Sequence, residues 1–197
     1  MKIVVLNGSP KGDLSITLQY VLLIRKKFPE HQFKVFNIAQ EIRKLEQDES
    51  AFKEVIEEVR ASDGVLWAFP LYFLLVHSHY KRFIELVFER SAGDAFRNKY
   101  AASLSTSIHF FDHTAHNYIN AICDDLGMRY VGAFSPHYHD IMKEEERKRL
   151  ILLPSTSSGP SRAMPQPRRA SCPCSTADSN TGRESSRVRS LRETRES

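Results

Sequence analysis

Cysteine is scarce in this chain of 197 residues: Cys123, Cys172 and Cys174 are the only three, and no two form a CxxC pair. That excludes a disulfide framework and makes a reducing cytoplasm the expected compartment. Long apolar runs are missing too. No stretch approaches the roughly 18 residues of a membrane span, and Lys2 leads straight into a strand-like run rather than a signal peptide, so no membrane partner is expected. The glycine signatures GxGxxG and GxxxxGK[ST] are absent, which removes the dinucleotide fingerprint and the P-loop. HExxH is absent as well, and no metal is expected. The net charge of +4 looks like a basic protein but is not spread over it. Residues 154–197 hold eight arginines, no lysine and four acids, so the whole excess lies there. A nucleic-acid partner is therefore not expected, because such a domain would carry its lysines and arginines on a folded face.

Residues 1–153 alternate strand and helix signals. Strands are expected at 2–6, 33–38, 64–69, 100–106 and 130–134, several of them near-continuous apolar runs of the kind covered on both faces. Helical stripes lie between them. Leu14, Leu18, Val21 and Leu22 form one; Phe52, Val55, Ile56 and Val59 a second; Tyr80, Phe83, Ile84 and Val87 a third; Ala115, Ile119, Ile122 and Leu126 a fourth. Asp112 is the expected N-cap of the fourth helix and Gly127 its C′ residue. A fifth helix is expected over 142–153, ended by Pro154. This is an α/β chain with a doubly wound, five-stranded parallel sheet in the order 2-1-3-4-5. Its ligand site is expected at the carboxyl ends of the strands.

After Pro154 the composition changes. Residues 154–197 have no Phe, Tyr, Trp, Ile or Lys, and Ser supplies 11 of 44. Such a segment buries too little apolar surface to offset its chain entropy, so a disordered tail is expected. Two origins stay open: a native flexible tail, or a shifted reading frame or cloning junction. The domain itself is taken as 1–153.

Three loops at the carboxyl edge carry the chemistry. The first, Asn7-Gly8-Ser9-Pro10-Lys11-Gly12-Asp13-Leu14-Ser15-Ile16-Thr17, joins a strand to a helix start. Free N–H groups and the positive end of the helix dipole meet there, Ser9, Ser15 and Thr17 add hydroxyls, and Lys11 adds a charge: a phosphate monoester fits. A plain turn capped by Ser15 is the alternative. The second, Phe69-Pro70-Leu71-Tyr72-Phe73-Leu74-Leu75, is unusually apolar and suits a flat heteroaromatic ring; burial in a dimer interface is the alternative. The third, Ser105-Thr106-Ser107-Ile108-His109, offers hydroxyls, amides and an imidazole to such a ring, although His109 also reads as a solvated loop histidine. Seven histidines between His77 and His139 read as the rim of a cleft rather than a metal site. Trp67 reads as core.

Asn7-Gly8-Ser9-Pro10-Lys11 with Ser15 and Thr17, and Phe69-Pro70-Leu71-Tyr72-Phe73 followed by Lys81 and Arg82, resemble the NADPH-dependent FMN reductase family. The resemblance spans about residues 1–150. It implies a flavodoxin-like fold that binds FMN, with the phosphate at Ser9, Lys11, Ser15, Ile16 and Thr17. It places the isoalloxazine along Pro70, Leu71, Tyr72 and Phe73, and the edge of the ring near Ser105, Thr106, Ser107 and His109. Iron–sulfur flavoproteins share both motifs but add a cysteine cluster, which this chain lacks. The implied activity is transfer of electrons from NADPH or NADH to a quinone, flavin or other small-molecule acceptor. The alternative is an electron-transfer or FMN-binding module without nicotinamide turnover. The resemblance also implies a homodimer, with Phe73, Leu74, Leu75, Phe110 and Phe111 against the partner.

Overall fold

The computed structural model describes residues 1–107 and 111–136. Five parallel strands form one sheet: β1 (Lys2–Asn7), β2 (Gln32–Phe36), β3 (Gly64–Pro70), β4 (Tyr100–Thr106) and β5 (Arg129–Phe134). Their order is β2-β1-β3-β4-β5, the expected doubly wound arrangement. The central strands are apolar because both faces are covered. Val4, Val5, Leu6, Val65, Trp67, Ala68 and Phe69 are buried, and Trp67 is core as expected.

The helices are α1 (Ile16–Lys27), α2 (Ile38–Gln47), α3 (Glu49–Arg60), α4 (Ser78–Glu89) and α5 (Asp112–Asp125). Alternate strand residues point to opposite faces, so each face gathers its own core. Val4, Leu6, Val65 and Trp67 meet α2, α3, α4 and α5 on one face, while Val5, Ala68 and Leu104 meet Leu18, Tyr20 and Val21 of α1 on the other. The stripes expected on α3 and α4 are buried throughout. Gly127 has φ +67, the left-handed conformation expected of a C′ glycine.

Four expectations need correction. Leu14 is not on the first helical stripe. It lies in a 3-10 turn, Gly12–Leu14, ahead of α1 and is 85% exposed, and Leu22 is exposed as well. The second strand stops at Phe36, because Ile38 is already the first residue of α2, a helix that periodicity did not reveal. Asp112 does not cap α5. Phe111 holds the N-cap position, and the Asp112 carboxylate, inside the first turn, accepts a hydrogen bond from the Ser107 hydroxyl at 2.6 Å. Among the described histidines His116 is not on a rim: it is 7% exposed and turned into the protein, whereas His113 is exposed. His109, Phe110, His137, His139, the 142–153 helix and the 154–197 tail lie outside the described residues. No helix among the described residues is long and apolar enough to cross a membrane. Cys123 is buried, and burial pushes its thiol up to about 12, which keeps it protonated and unreactive.

Candidate functional site

Parallel strands deliver their following loops to one edge, and here those after β1, β3 and β4 converge. Three hydrogen bonds string them together. The Gly8 N–H donates to the Ala68 carbonyl at 2.7 Å, tying the first loop to β3. The Leu71 N–H donates to the Thr106 carbonyl at 3.1 Å, tying the second to β4. The Thr17 and Thr106 hydroxyls share a hydrogen at 2.6 Å, tying the start of α1 to the end of β4.

Asn7 shapes the first loop. It is fully buried, and its Oδ1 accepts from the Ser9 N–H at 3.1 Å. Its Nδ2 donates to the Gly12 carbonyl at 3.2 Å and to Asn37 Oδ1 at 2.9 Å. Ser9 Oγ accepts from the Lys11 N–H at 3.3 Å. The loop therefore curls back on itself, and Gly12 takes φ +53 to let it do so. From below, the Tyr80 ring packs against Gly8, and its hydroxyl donates to the Leu6 carbonyl at 2.7 Å. Ser15 stands at the N-cap of α1 but its side chain makes no cap bond. Among the described residues, no carbonyl receives the N–H groups of Ile16, Thr17 and Leu18. Orphan donors at a helix start attract an anion. Ser9 and Ser15 line this curl, Lys11 is exposed beside it, and the Thr17 hydroxyl is spent on Thr106.

In the second loop the Tyr72 N–H donates to the Leu75 carbonyl at 2.7 Å and the Leu75 N–H to that of Tyr72 at 3.0 Å. Phe73 and Leu74 at the tip have φ 43 and 68. Left-handed backbone costs a residue with a Cβ about 1–2 kcal/mol, so this tip is strained. It presents Phe73 fully to solvent, with Tyr72 and Leu74 about two-fifths exposed (40% and 39%). The Tyr72 ring meets His77 edge-on at 5.0 Å. His77 in turn caps α4, its Nδ1 accepting from the His79 N–H at 3.2 Å. Burial, with a smaller contribution from His79, holds the His77 imidazole below its ordinary value and preserves that acceptor.

The hydroxyls after β4 face protein partners. Ser105 is fully buried, with Oγ 3.1 Å from His116 Nε2 and 2.7 Å from Ser135 Oγ. His116 Nδ1 lies 2.6 Å from Ser103 Oγ, which also bonds the Tyr130 hydroxyl, and its Nε2 lies 2.7 Å from Ser135 Oγ. Burial depresses the His116 imidazole, opposed by the Asp112 charge one turn away. Ser107 bonds Asp112. Ser105 and Ser107 thus brace the third loop from behind.

The donor set and its surroundings fit FMN. A curled loop with unpaired amides, free hydroxyl capacity and a lysine suits a phosphate dianion. Next to it stands a strained, exposed aromatic tip that suits a flat ring. A separate depression of about 560 Å³ lies at the other edge of the sheet, between the end of α1 and the start of β2. Its Arg25 and Lys26 lie in the last turn of α1, where cations complement the helix dipole. Among the described residues, no group of three His, Cys, Asp or Glu could hold a metal ion.

Three contributors escaped the sequence reading. Asn37, Tyr80 and His116 reach the site through contacts 30, 74 and 11 residues apart, which no local pattern encodes. Asn7 carried a signal, an Asn-Gly pair ending an apolar run, that points to an Asx turn.

Comparison with known proteins agrees with this geometry. The family model described as NADPH-dependent FMN reductase matches residues 1–139. No curated protein matches. Among solved structures, an apo NADH:FMN oxidoreductase, EMOB, is 19% identical with a TM-score of 0.61, over 81% of this chain and 92% of that one. FerB, a flavoenzyme NAD(P)H:(acceptor) oxidoreductase from Paracoccus denitrificans, is 17% identical with a TM-score of 0.63, over 78% and 93%. An FMN-dependent NADH-azoreductase from Bacillus anthracis, in complex with FMN, is 12% identical with a TM-score of 0.52, over 80% and 98%. These likenesses concern the fold. The matched model spans most of the chain, including the loops after β1, β3 and β4, and the chain belongs to the NADPH-dependent FMN reductase family.

Proposed function

We propose that the three joined loops hold FMN and that the protein passes electrons from NADPH or NADH to a quinone, a flavin or another small acceptor. The observation that carries this is the convergence of three loops on one edge, with the amides at the start of α1 left unpaired. Ser9, Lys11, Ser15 and the amides of Ile16 and Thr17 take the phosphate. Pro70, Leu71, Tyr72 and Phe73 lie along the ring. Ser105, Thr106 and Ser107 set the backbone at its edge, and His109 is assigned there as well. Bound FMN supplies the hydride acceptor, at N5, and stores two electrons. The chain's own part is position and exclusion of water, so no side chain is assigned as acid or base. We further assign the folded unit to 1–153, the tail to 154–197 and the location to the cytoplasm. The exposed Phe73, Leu74 and Phe111 support a homodimer joined near the second loop.

Flavin titration of the apoprotein, followed by fluorescence quenching, tests the phosphate assignment. FMN should bind more tightly than riboflavin or FAD, and replacing Ser9 and Ser15 by Ala should weaken FMN by about 1–3 kcal/mol, the scale of hydrogen bonds to a charged group. Equal affinity for riboflavin would overturn it. Tyr72→Ala should move the flavin's visible spectrum more than Ser9→Ala does, while Ser9→Ala should change affinity more. Stopped-flow oxidation of NADPH by the loaded protein separates the reductase from a module without nicotinamide turnover.

A further inference from the structure

Asn37 follows β2 and occupies the N-cap of α2, a position where an Asn side chain ordinarily accepts an N–H of its own helix. Here that cap bond is absent. The side chain turns to the first loop instead. Its Oδ1 accepts from Asn7 Nδ2 at 2.9 Å, and its Nδ2 donates to Asp13 Oδ1 at 3.0 Å. The helix has given up a cap to serve a neighbouring loop, a local rule broken at a place where function offers the reason.

What Asn37 holds is the one carboxylate of that loop. Asp13 lies two residues ahead of Ser15, the N-cap of α1, where among the described residues no carbonyl receives the N–H groups of Ile16, Thr17 and Leu18. A carboxylate within such reach of a helix start is a fitting occupant for those amides, and it repels a second anion there. The β2–α2 connection is set firmly against the loop. A Cβ at Gly12 would fall 2.1 Å from Oε1, the flexible end of the Gln40 side chain on α2.

We propose that Asn37 is a positioning residue that sets the site's preference for a phosphate monoester, by holding the Asp13 carboxylate away from the anion cradle at the start of α1. This rests on the assignment of the first loop to the flavin phosphate. When Asn37 is removed, Asp13 competes with the phosphate for the same donors. The isoalloxazine contacts are untouched, so the effect falls on FMN and spares riboflavin.

The experiment titrates full-length apoprotein with FMN and with riboflavin, in wild type, Asn37→Ala, Asp13→Asn and the double variant. Asn37→Ala should weaken FMN roughly fivefold, the size of an exposed charge effect at a helix start, with riboflavin changed by less than about twofold. The double variant, which has no carboxylate left to compete, should return FMN affinity to within about twofold of wild type. Asp13→Asn alone should leave FMN affinity at or above the wild-type level. If Asn37→Ala weakens both flavins alike, or if Asp13→Asn fails to rescue it, Asn37 is merely structural and the inference falls. Should Asn37→Ala not fold, Asn37→Ser keeps an N-cap residue for α2 and adds no charge, and the same two expectations apply with Asp13→Asn as its rescue. Wild-type protein that binds riboflavin as tightly as FMN would instead defeat the phosphate assignment itself.

Discussion

Gly8→Ala should cost about 2–3 kcal/mol of stability, at the upper end of overpacking changes, and lower FMN affinity by about tenfold or more. A Cβ at Gly8 would lie 2.8, 2.9 and 3.0 Å from three ring atoms of Tyr80. That ring has nowhere to go. It is fully buried, its hydroxyl is anchored on the Leu6 carbonyl, and Trp67 and Phe69 flank it with ring centroids 6.0 and 6.2 Å away. The first loop must therefore lift, which breaks the Gly8-to-Ala68 bond and displaces the donors that follow. Gly12→Ala makes an instructive comparison, since its clash is with the flexible end of Gln40 and its difficulty is the φ of +53. Urea midpoints with a flavin titration decide the matter. A Gly8→Ala protein with wild-type midpoint and affinity would show that the loop has slack that the packing denies.

His116→Ala should remove about 2–3 kcal/mol, from a cavity beside Phe69 and from hydroxyls that lose their common partner. Its pH signature is distinctive. Burial depresses the folded-state imidazole below the unfolded value near about 6.5, so below that pH the unfolded chain binds more protons than the folded one. Stability is full above about pH 6.5 and falls as acid drives the pH down toward the folded-state value. His77, depressed for the same reason, adds to the same slope. Replacing His116 should flatten part of that acid loss and leave the share of His77. A slope identical to wild type between about pH 5 and 7 would mean that His116 does not titrate differently on unfolding.

The central strands of the sheet were legible because they are buried on both sides, whereas β2 and β5 at its edges hold no buried residue. The bounds expected for β4, Tyr100 to Thr106, agree with the structure. α2 escaped notice because Ile38, Ile42 and Leu45 are its buried apolar side chains amid charge, and because Ile38 extends the apolar pattern of β2 by one polar step. Leu14 misled in the opposite way, being a large apolar residue at helical spacing that sits on a turn before the helix starts. The first loop could be read as a strand–turn–helix junction because that chemistry is local. Its supports could not. Asn37, Tyr80 and His116 look like a cap, a core aromatic and one histidine among several, until the fold brings them beneath the loops.

The bond between Thr17 and Thr106 joins residues 89 apart in sequence. Every segment between them, including β2 and β3 with their helices, must be in place before that contact closes. Such non-local closure belongs to the complete topology and to no smaller piece of it. The proposed cofactor site consequently depends on the complete topology rather than on a fragment of it. Retention of bound flavin through heating or denaturant is then a report on the whole sheet: the yellow of the protein fades when the start of α1 and the end of β4 part company, wherever the unfolding began.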